Sequence, residues 1–368
     1  SNAATAQNAV AVGGRNNTAT EVGAVVFGGA SNDSIGQRTL VAGGNDNTAS
    51  GDEALALGGE KNLSSGPKAV TIAGYGNIAS GENAVTLGGR ELKAEDIGSV
   101  AIGGTLNAAV ESRSVVIGGE YNKTTGYEAS VFGGDWNEAS GDTAVAVGGR
   151  SNVSGATYSL TVGGEKNQAN ADGSMAAGGY ENEASGYYAV TVGGMGNVAS
   201  GDGAAAISGY YNKVGGTSAT AVGGMNNTAS GLNSTTLGGT LNQATYSGAA
   251  TVGGYSNTAS NQYAITVGGA GNVASGDGAA AISGYYNKAS GISSTAVGGM
   301  YVEASGTNSL VEGGVSNKAT GNSAVVVGGG YYSDDTYQML GNNNAAGDGS
   351  VILGGVNNAT TAEAKNSV

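Results

Sequence analysis

Gly193-Gly194-Met195-Gly196-Asn197-Val198-Ala199-Ser200-Gly201, with the apolar run Ala204-Ala205-Ala206-Ile207 behind it, decides the fold. Ser208-Gly209 then opens the same unit again. Read by its first residue, the unit begins at Gly13, Gly28, Gly43, Gly58, Ala73 and Gly88. It continues without a slip to Gly313 and Gly328, 21 steps of 15 residues. A fixed period of this kind is the signature of stacked coils, in which one supersecondary unit buries its apolar side against the next.

With the unit numbered 1 to 15 from its first Gly, position 5 is Asn in 19 of the 21 units that start at residues 13 to 313, Leu92 and Val302 being the exceptions. Positions 7 to 9 favour Ala-Ser-Gly or Ala-Thr-Gly, and position 12 is Ala, Ser or Thr throughout. Positions 13 and 15 are mostly Val, Leu or Ile, as in Val85 and Leu87 or Ile265 and Val267. Alternation at period 2 predicts a strand over 13–15, with 13 and 15 turned into the coil and 14 turned out. The Gly pair supplies one turn, because Gly reaches positive φ without a steric penalty. Asn at 5 and Gly at 9 mark the second corner. Fifteen residues at about 3.3 Å give a perimeter near 50 Å, room for an interior one side-chain layer thick. Stacking places each Asn under the next, which predicts a structural amide ladder.

Position 14 carries the expectation about assembly. It is Ala56, Thr71, Thr86, Ala101, Val116, Ala146, Thr161, Thr191, Ala206, Ala281 or Val326, and never charged. A solvated column through more than twenty coils would have collected Lys, Glu or Asp. These residues are therefore expected to line an interface between copies of the chain, packed side by side about a common axis.

Composition narrows the function. The 368 residues include 72 Gly, one Pro, no Cys and no His. Collagen is excluded by the missing three-residue period. Ser-His-Asp and Cys-His nucleophilic catalysis and thiolate metal sites are excluded by residue type. With 14 Lys+Arg against 28 Asp+Glu the net charge is −14, and the basic residues form no stripe, so nucleic acid is not an expected partner. No apolar run approaches the ~20 residues of a membrane-spanning helix. Asp202, Asp277 and Asp334-Asp335 read as solvated surface acids, and no catalytic, cofactor or metal residue is assigned. Residues 1–3 (Ser-Asn-Ala) read as a tag remnant, 4–330 as regular repeats, 331–341 as an inserted loop and 342–368 as final coils. The chain stops within a unit, as part of a longer protein would. Glu312 stands at position 15, which this reading turns inward, and is expected to be a distortion or a partnered acid. Gly196–Lys213 is identical to Gly271–Lys288, a duplicated five-coil block.

What remains free at the surface is aromatic. Tyr accounts for 18 of the 21 aromatic residues. The candidate ligand surface is Tyr121, Trp136, Tyr180, Tyr187, Tyr188, Tyr210, Tyr211, Tyr285 and Tyr286 at positions 3, 4, 10 and 11, with Tyr331, Tyr332 and Tyr337 in the insertion. Exposed Tyr offers contact area at low entropy cost, although stacking between coils accounts for any one of them equally well.

Gly-Gly-x-x-Asn-x-Ala-Ser-Gly-x-x-(Ala/Ser)-x-x-Val resembles the head repeat of trimeric autotransporter adhesins, the YadA-like or Hep/Hag type, from Ala9 to Asn358. The family's commonest unit is one residue shorter, and this form is similar to its double-Gly variants. The resemblance implies a left-handed single-stranded parallel β-roll, a β-solenoid of 15-residue coils, wrapped as a side-by-side homotrimer. It also implies a non-enzymatic passenger at the outer membrane surface of a Gram-negative bacterium. Such a head attaches to host matrix or cell-surface protein, to glycan, or to a bacterial surface receptor by multivalent contacts. Neck, stalk and membrane anchor are not among these residues. The alternative is a trimeric phage or tail-fibre shaft binding surface polysaccharide. An ice-binding solenoid would need a flat, two-wide Thr array that these columns lack.

Overall fold

The computed structural model describes residues 1–333, 338–340 and 342–368, with 331–333 and 338–340 described by backbone alone. The chain is an all-β parallel β-solenoid with 15-residue turns. It divides into two compact units, Ser1–Glu181 and Asn182–Val368. In both units the repeating coil has a two-residue strand at positions 6–7, such as Thr18–Ala19 or Val198–Ala199, and, up to Val351–Leu353, a three-residue strand at 13–15, such as Val25–Phe27 or Ala205–Ile207. Each strand pairs in parallel with its counterpart one period on: Val25 with Leu40, Thr220 with Thr235.

The corners follow from backbone chemistry. Both Gly of the pair take positive φ, 62° at Gly268 and 72° at Gly269. Only the second is sterically obligatory. A Cβ on Gly269 would overlap the Gly284 carbonyl and the Asn272 amide, whereas one on Gly268 would meet nothing within 4 Å. Position 1 accordingly admits Ala73, Ser208 and Ser283 at φ of 51–56°, and position 2 is Gly in every coil.

The Asn column forms the expected ladder. The Asn272 Oδ1 accepts from the Asn287 backbone N–H at 3.0 Å, and its Nδ2 donates to the Gly268 and Gly284 carbonyls at 3.1 and 3.3 Å. Leu92 and Val302 still donate their backbone N–H to the Asn before them, at 2.9 and 3.1 Å, but offer no Oδ1 to the next coil. At the start of the first unit Asn2 takes the same place, its Oδ1 accepting from Asn17 N–H at 3.1 Å. Ser1-Asn2-Ala3, set aside in the sequence, is thus structurally continuous with the coils.

The interior is the reverse of the expectation. Positions 5, 7, 12 and 14 are buried, and 13 and 15 face outward. Ala56, Thr71, Thr86, Ala101, Val116, Ala146, Thr161, Thr191, Ala206, Ala281 and Val326 are each 0% exposed inside their own coil, so they cannot touch another chain. Size is the physical reason. Four inward columns share one thin lumen, which is filled almost entirely by Ala, Ser, Thr, Val and Asn, with Leu92 and Ile352 the largest side chains buried in it. Phe27 and Phe132 at position 15 have no room there and lie 51% and 42% exposed. The absence of charge at position 14 reflects burial, not contact between chains.

The inserted segment does not break the stack. Lys318–Ala319 pairs with Asn344–Ala345 and Val325–Val327 with Val351–Leu353, one period plus 11 residues on. Asn343 N–H reaches Asn317 Oδ1 at 3.2 Å across the gap. In place of a plain loop, Tyr331–Ser333 and Gln338–Leu340 pair antiparallel. Tyr337 lies outside the described residues, and Tyr331 and Tyr332 are placed by backbone only.

Candidate interaction surfaces

Turning 13 and 15 outward gives each unit an apolar face of two columns. The strands from Val10–Val12 to Val351–Leu353 present 46 such side chains, and one of them is charged, Glu312. Glu312 is not inward, as the sequence suggested, but exposed, between Val297 and Val327 on the neighbouring strands. The opposite strand turns a mixed, largely polar column outward at position 6, with Lys93, Glu138, Lys213, Glu303 and Lys318 beside apolar residues such as Ile78 and Val153. One face of each unit is thus solvated and the other is not built for water.

The two turn edges carry the aromatics. Positions 4 and 11 are held in the left-handed region even where the residue is large: φ is 55° at Tyr121, 58° at Trp136, 54° at Tyr188, 53° at Tyr211, 51° at Tyr286 and 55° at Tyr301. Asn and Gly suit this geometry and bulky side chains do not.

In the first unit several edge aromatics are tied down, while Tyr158 stands 69% exposed. Lys166 Nζ donates to Tyr180 Oη at 3.0 Å and to Glu181 Oε1 at 3.2 Å. Arg113 Nη1 does the same to Tyr127 Oη at 2.6 Å and Glu128 Oε1 at 2.9 Å. These cation–Tyr–carboxylate rungs join consecutive coils. The Arg113 hydrogen bond holds the Glu128 carboxyl below its ordinary value. Tyr180 and then Lys166 do the same for Glu181. The Ile97 N–H, with Ser112, lowers Asp96. Tyr121 and Trp136 stack face to face at 4.2 Å. Of the predicted surface, Tyr180 is therefore a structural rung, and Tyr121 with Trp136 is a stacked pair.

The second unit differs. Tyr187 and Tyr188 stand 57% and 73% exposed at positions 10 and 11. Tyr210 and Tyr211 stand out at positions 3 and 4, and a Cβ at Gly196 would strike the Tyr211 ring, so Gly makes room for it. Tyr285, Tyr286 and Tyr301 cluster, Tyr286 stacked on Tyr301 at 5.6 Å and Tyr285 edge-on to Tyr286 at 4.4 Å. Tyr301, Met225 and Leu241, missed in the sequence reading, belong to the same edge. Lining up the columns at positions 3 and 4 finds them.

Among the described residues no group of three or more acidic side chains could hold a metal ion. Asp202, a duplicated acid, accepts the Tyr187 backbone N–H at 3.3 Å, and Asp142 accepts that of Tyr127 at 3.1 Å, so these carboxylates tie coils together. A cavity of about 380 Å³ beside Val351, Leu353, Asn358 and Thr360 is the open end of the last coil. No protein-family model matches the chain, and no curated protein matches it.

Proposed function

We propose that the chain is the non-enzymatic head of a bacterial surface adhesin of the trimeric autotransporter type, displayed outside a Gram-negative outer membrane. Three copies pack through the apolar face and hold the turn edges outward. Attachment is to host matrix or cell-surface protein, to glycan, or to another bacterium, by many modest contacts summed through avidity. The observation that carries this reading is the outward 13/15 face, with one charge in 46 side chains. A face of that kind needs covering, and three identical chains about a common axis bury it at heterologous contacts that close into a ring. The periodic sequence and its likeness to Hep/Hag repeats support this reading.

Solution mass tests the assembly: three chain masses are expected, and a monomer at micromolar concentration overturns it. Function is tested with beads coated with the assembled protein. Adherence to epithelial cells above beads coated with an unrelated acidic protein is expected. Shortening of capsular polysaccharide on incubation would instead select the tail-fibre alternative.

A further inference from the structure

The two units differ sharply at one edge. In the first unit, 12 of the 24 residues at positions 3 and 4, from Arg15 to Glu181, are charged. In the second, none of the 18 from Met195 to Ser316 is. The coil is the same and solvent is as near, so geometry does not demand the change. What replaces the charges is Tyr and Met: Tyr210, Tyr211, Met225, Tyr255, Tyr285, Tyr286, with Met300 and Tyr301 beyond. Depletion of charge with enrichment of Tyr and Met is the composition of a protein-interface centre, and Met adds a side chain that adapts to irregular apolar partners.

Backbone conformation sets what these Tyr cost. Tyr211, Tyr286 and Tyr301 sit at φ of 53°, 51° and 55°, where Asn or Gly is preferred and where Asn226 stands in the same column at 53°. Position 4 takes this conformation in every coil, Tyr121 and Trp136 of the first unit included, so it is a cost that the ridge Tyr bear and not what sets the ridge apart. Tyr211 and Tyr286 also belong to the identical blocks, five coils apart, which places the two Tyr pairs about 24 Å from each other on one edge.

We propose that positions 3 and 4 of the second unit, from Met195 to Tyr301, form a docking ridge for a protein partner that presents an uncharged, apolar-rich face. The ridge runs about 34 Å, seven coil steps, and the duplicated Tyr pairs grip the partner at two points. A neutral sugar chain fits less well: one face of the Tyr286 ring is turned to Tyr301, and three Met are poor partners for hydroxyls. The corresponding edge of the first unit, charged at half of its positions and crossed by the Lys166–Glu181 rung, takes no part. The proposal rests on the adhesive reading and narrows it to one edge.

The test uses the whole chain in its native assembly state, against immobilised fibronectin, laminin and vitronectin and, in parallel, a glycan array. The key variant is Tyr211→Asn/Tyr286→Asn/Tyr301→Asn. Asn relieves the left-handed strain, so Tm equal to or above the parent is expected together with at least a tenfold loss of binding to the protein probe. Rings that only stiffened the roll would lower Tm and leave binding unchanged. Thr240→Lys, in mid-ridge, is expected to weaken binding at least fivefold, and Tyr121→Asn/Trp136→Asn in the first unit to change it less than twofold. Binding is expected to vary less than threefold between 0.05 and 0.5 M NaCl. Protein binding that survives the triple variant, or that maps to the first unit, overturns the ridge and leaves adhesion standing. Binding to glycans alone overturns the proposed partner class, and binding to neither panel overturns ridge and adhesive reading together.

Discussion

At the residue scale the fold rests on a few atoms repeated many times. The second Gly of each pair is fixed by overlap and the first by φ alone. Gly268→Ala should therefore cost about 1–2 kcal/mol, the penalty of a left-handed Ala. Gly269→Ala should cost roughly 3 kcal/mol or more, because it also displaces the Asn272 amide from its carbonyl partners. Urea midpoints of the two variants measure the difference, and equal values would contradict the steric account. The ladder gives the opposite sign. Val302 is buried and close to Asn in size, and it leaves the next rung without an Oδ1. Val302→Asn should raise stability by about 1 kcal/mol, one buried hydrogen bond. Charge acts at the surface. Because Glu128 is held below its ordinary value of 4.5 by Arg113, its contribution is present above that value and disappears as pH falls through the lower, folded one. The Tm gap between parent and Glu128→Gln should be largest near neutrality and close in acid.

The element that decides everything above the residue is the three-residue strand. Its existence was plain in the sequence, as were the period, the corners and the Asn ladder, because each is a fixed spacing. Which of its faces points inward was not, since alternation has two parities and a slip of one residue exchanges them. Taking the larger side chains as the core chose the wrong parity. Phe27 and Phe132 hold the missing information: no lumen already shared by Asn, Ala and Ser columns has room for them. The two strands of a coil also meet across that lumen. Thr161 at position 14 is paired with Ser154 at position 7, Oγ1 to Oγ at 2.9 Å, and Thr71 with Ser64 at 2.8 Å. Where position 7 is Ala the hydroxyl is orphaned, as at Thr236, Thr251 and Thr266. Leaving a buried hydroxyl unpaired is unfavourable by about 1–3 kcal/mol. Thr251→Val should stabilise the chain by about 1 kcal/mol, and Thr161→Val should destabilise it by a similar amount, both read as shifts in denaturant midpoint. A common sign for the two would mean that β-propensity, not pairing, governs the column.

For the whole molecule the question is what covers the outward face. The charge-poor ridge was open to view in the sequence only after columns 3 and 4 were separated by unit, because pooled Tyr counts hide where the charges are. The 13/15 face was hidden by the parity error, which assigned its side chains to the core. With the parity corrected, the proposed trimer acquires a sharper consequence. Three chains about one axis bring three Glu312 carboxylates together in a seam with one charge per chain, with Val297 and Val327 on the flanking strands. Like charges at a desolvated interface oppose association. Glu312→Val should therefore tighten the assembly, raising the midpoint of its dissociation in denaturant, with little effect on a monomeric chain. Introducing the same feature elsewhere should do the reverse. Val252→Glu and Ile207→Glu alter exposed position-15 residues without entering the lumen, and the double variant should run as a folded monomer with unchanged far-UV circular dichroism. Sedimentation equilibrium reads both results. If Glu312→Val leaves the dissociation midpoint where it was while Val252→Glu/Ile207→Glu still separates the chains, the seam exists but does not extend to the coil of Glu312. If neither variant changes the mass distribution, the copies do not meet through this face, and its apolar columns require a different cover.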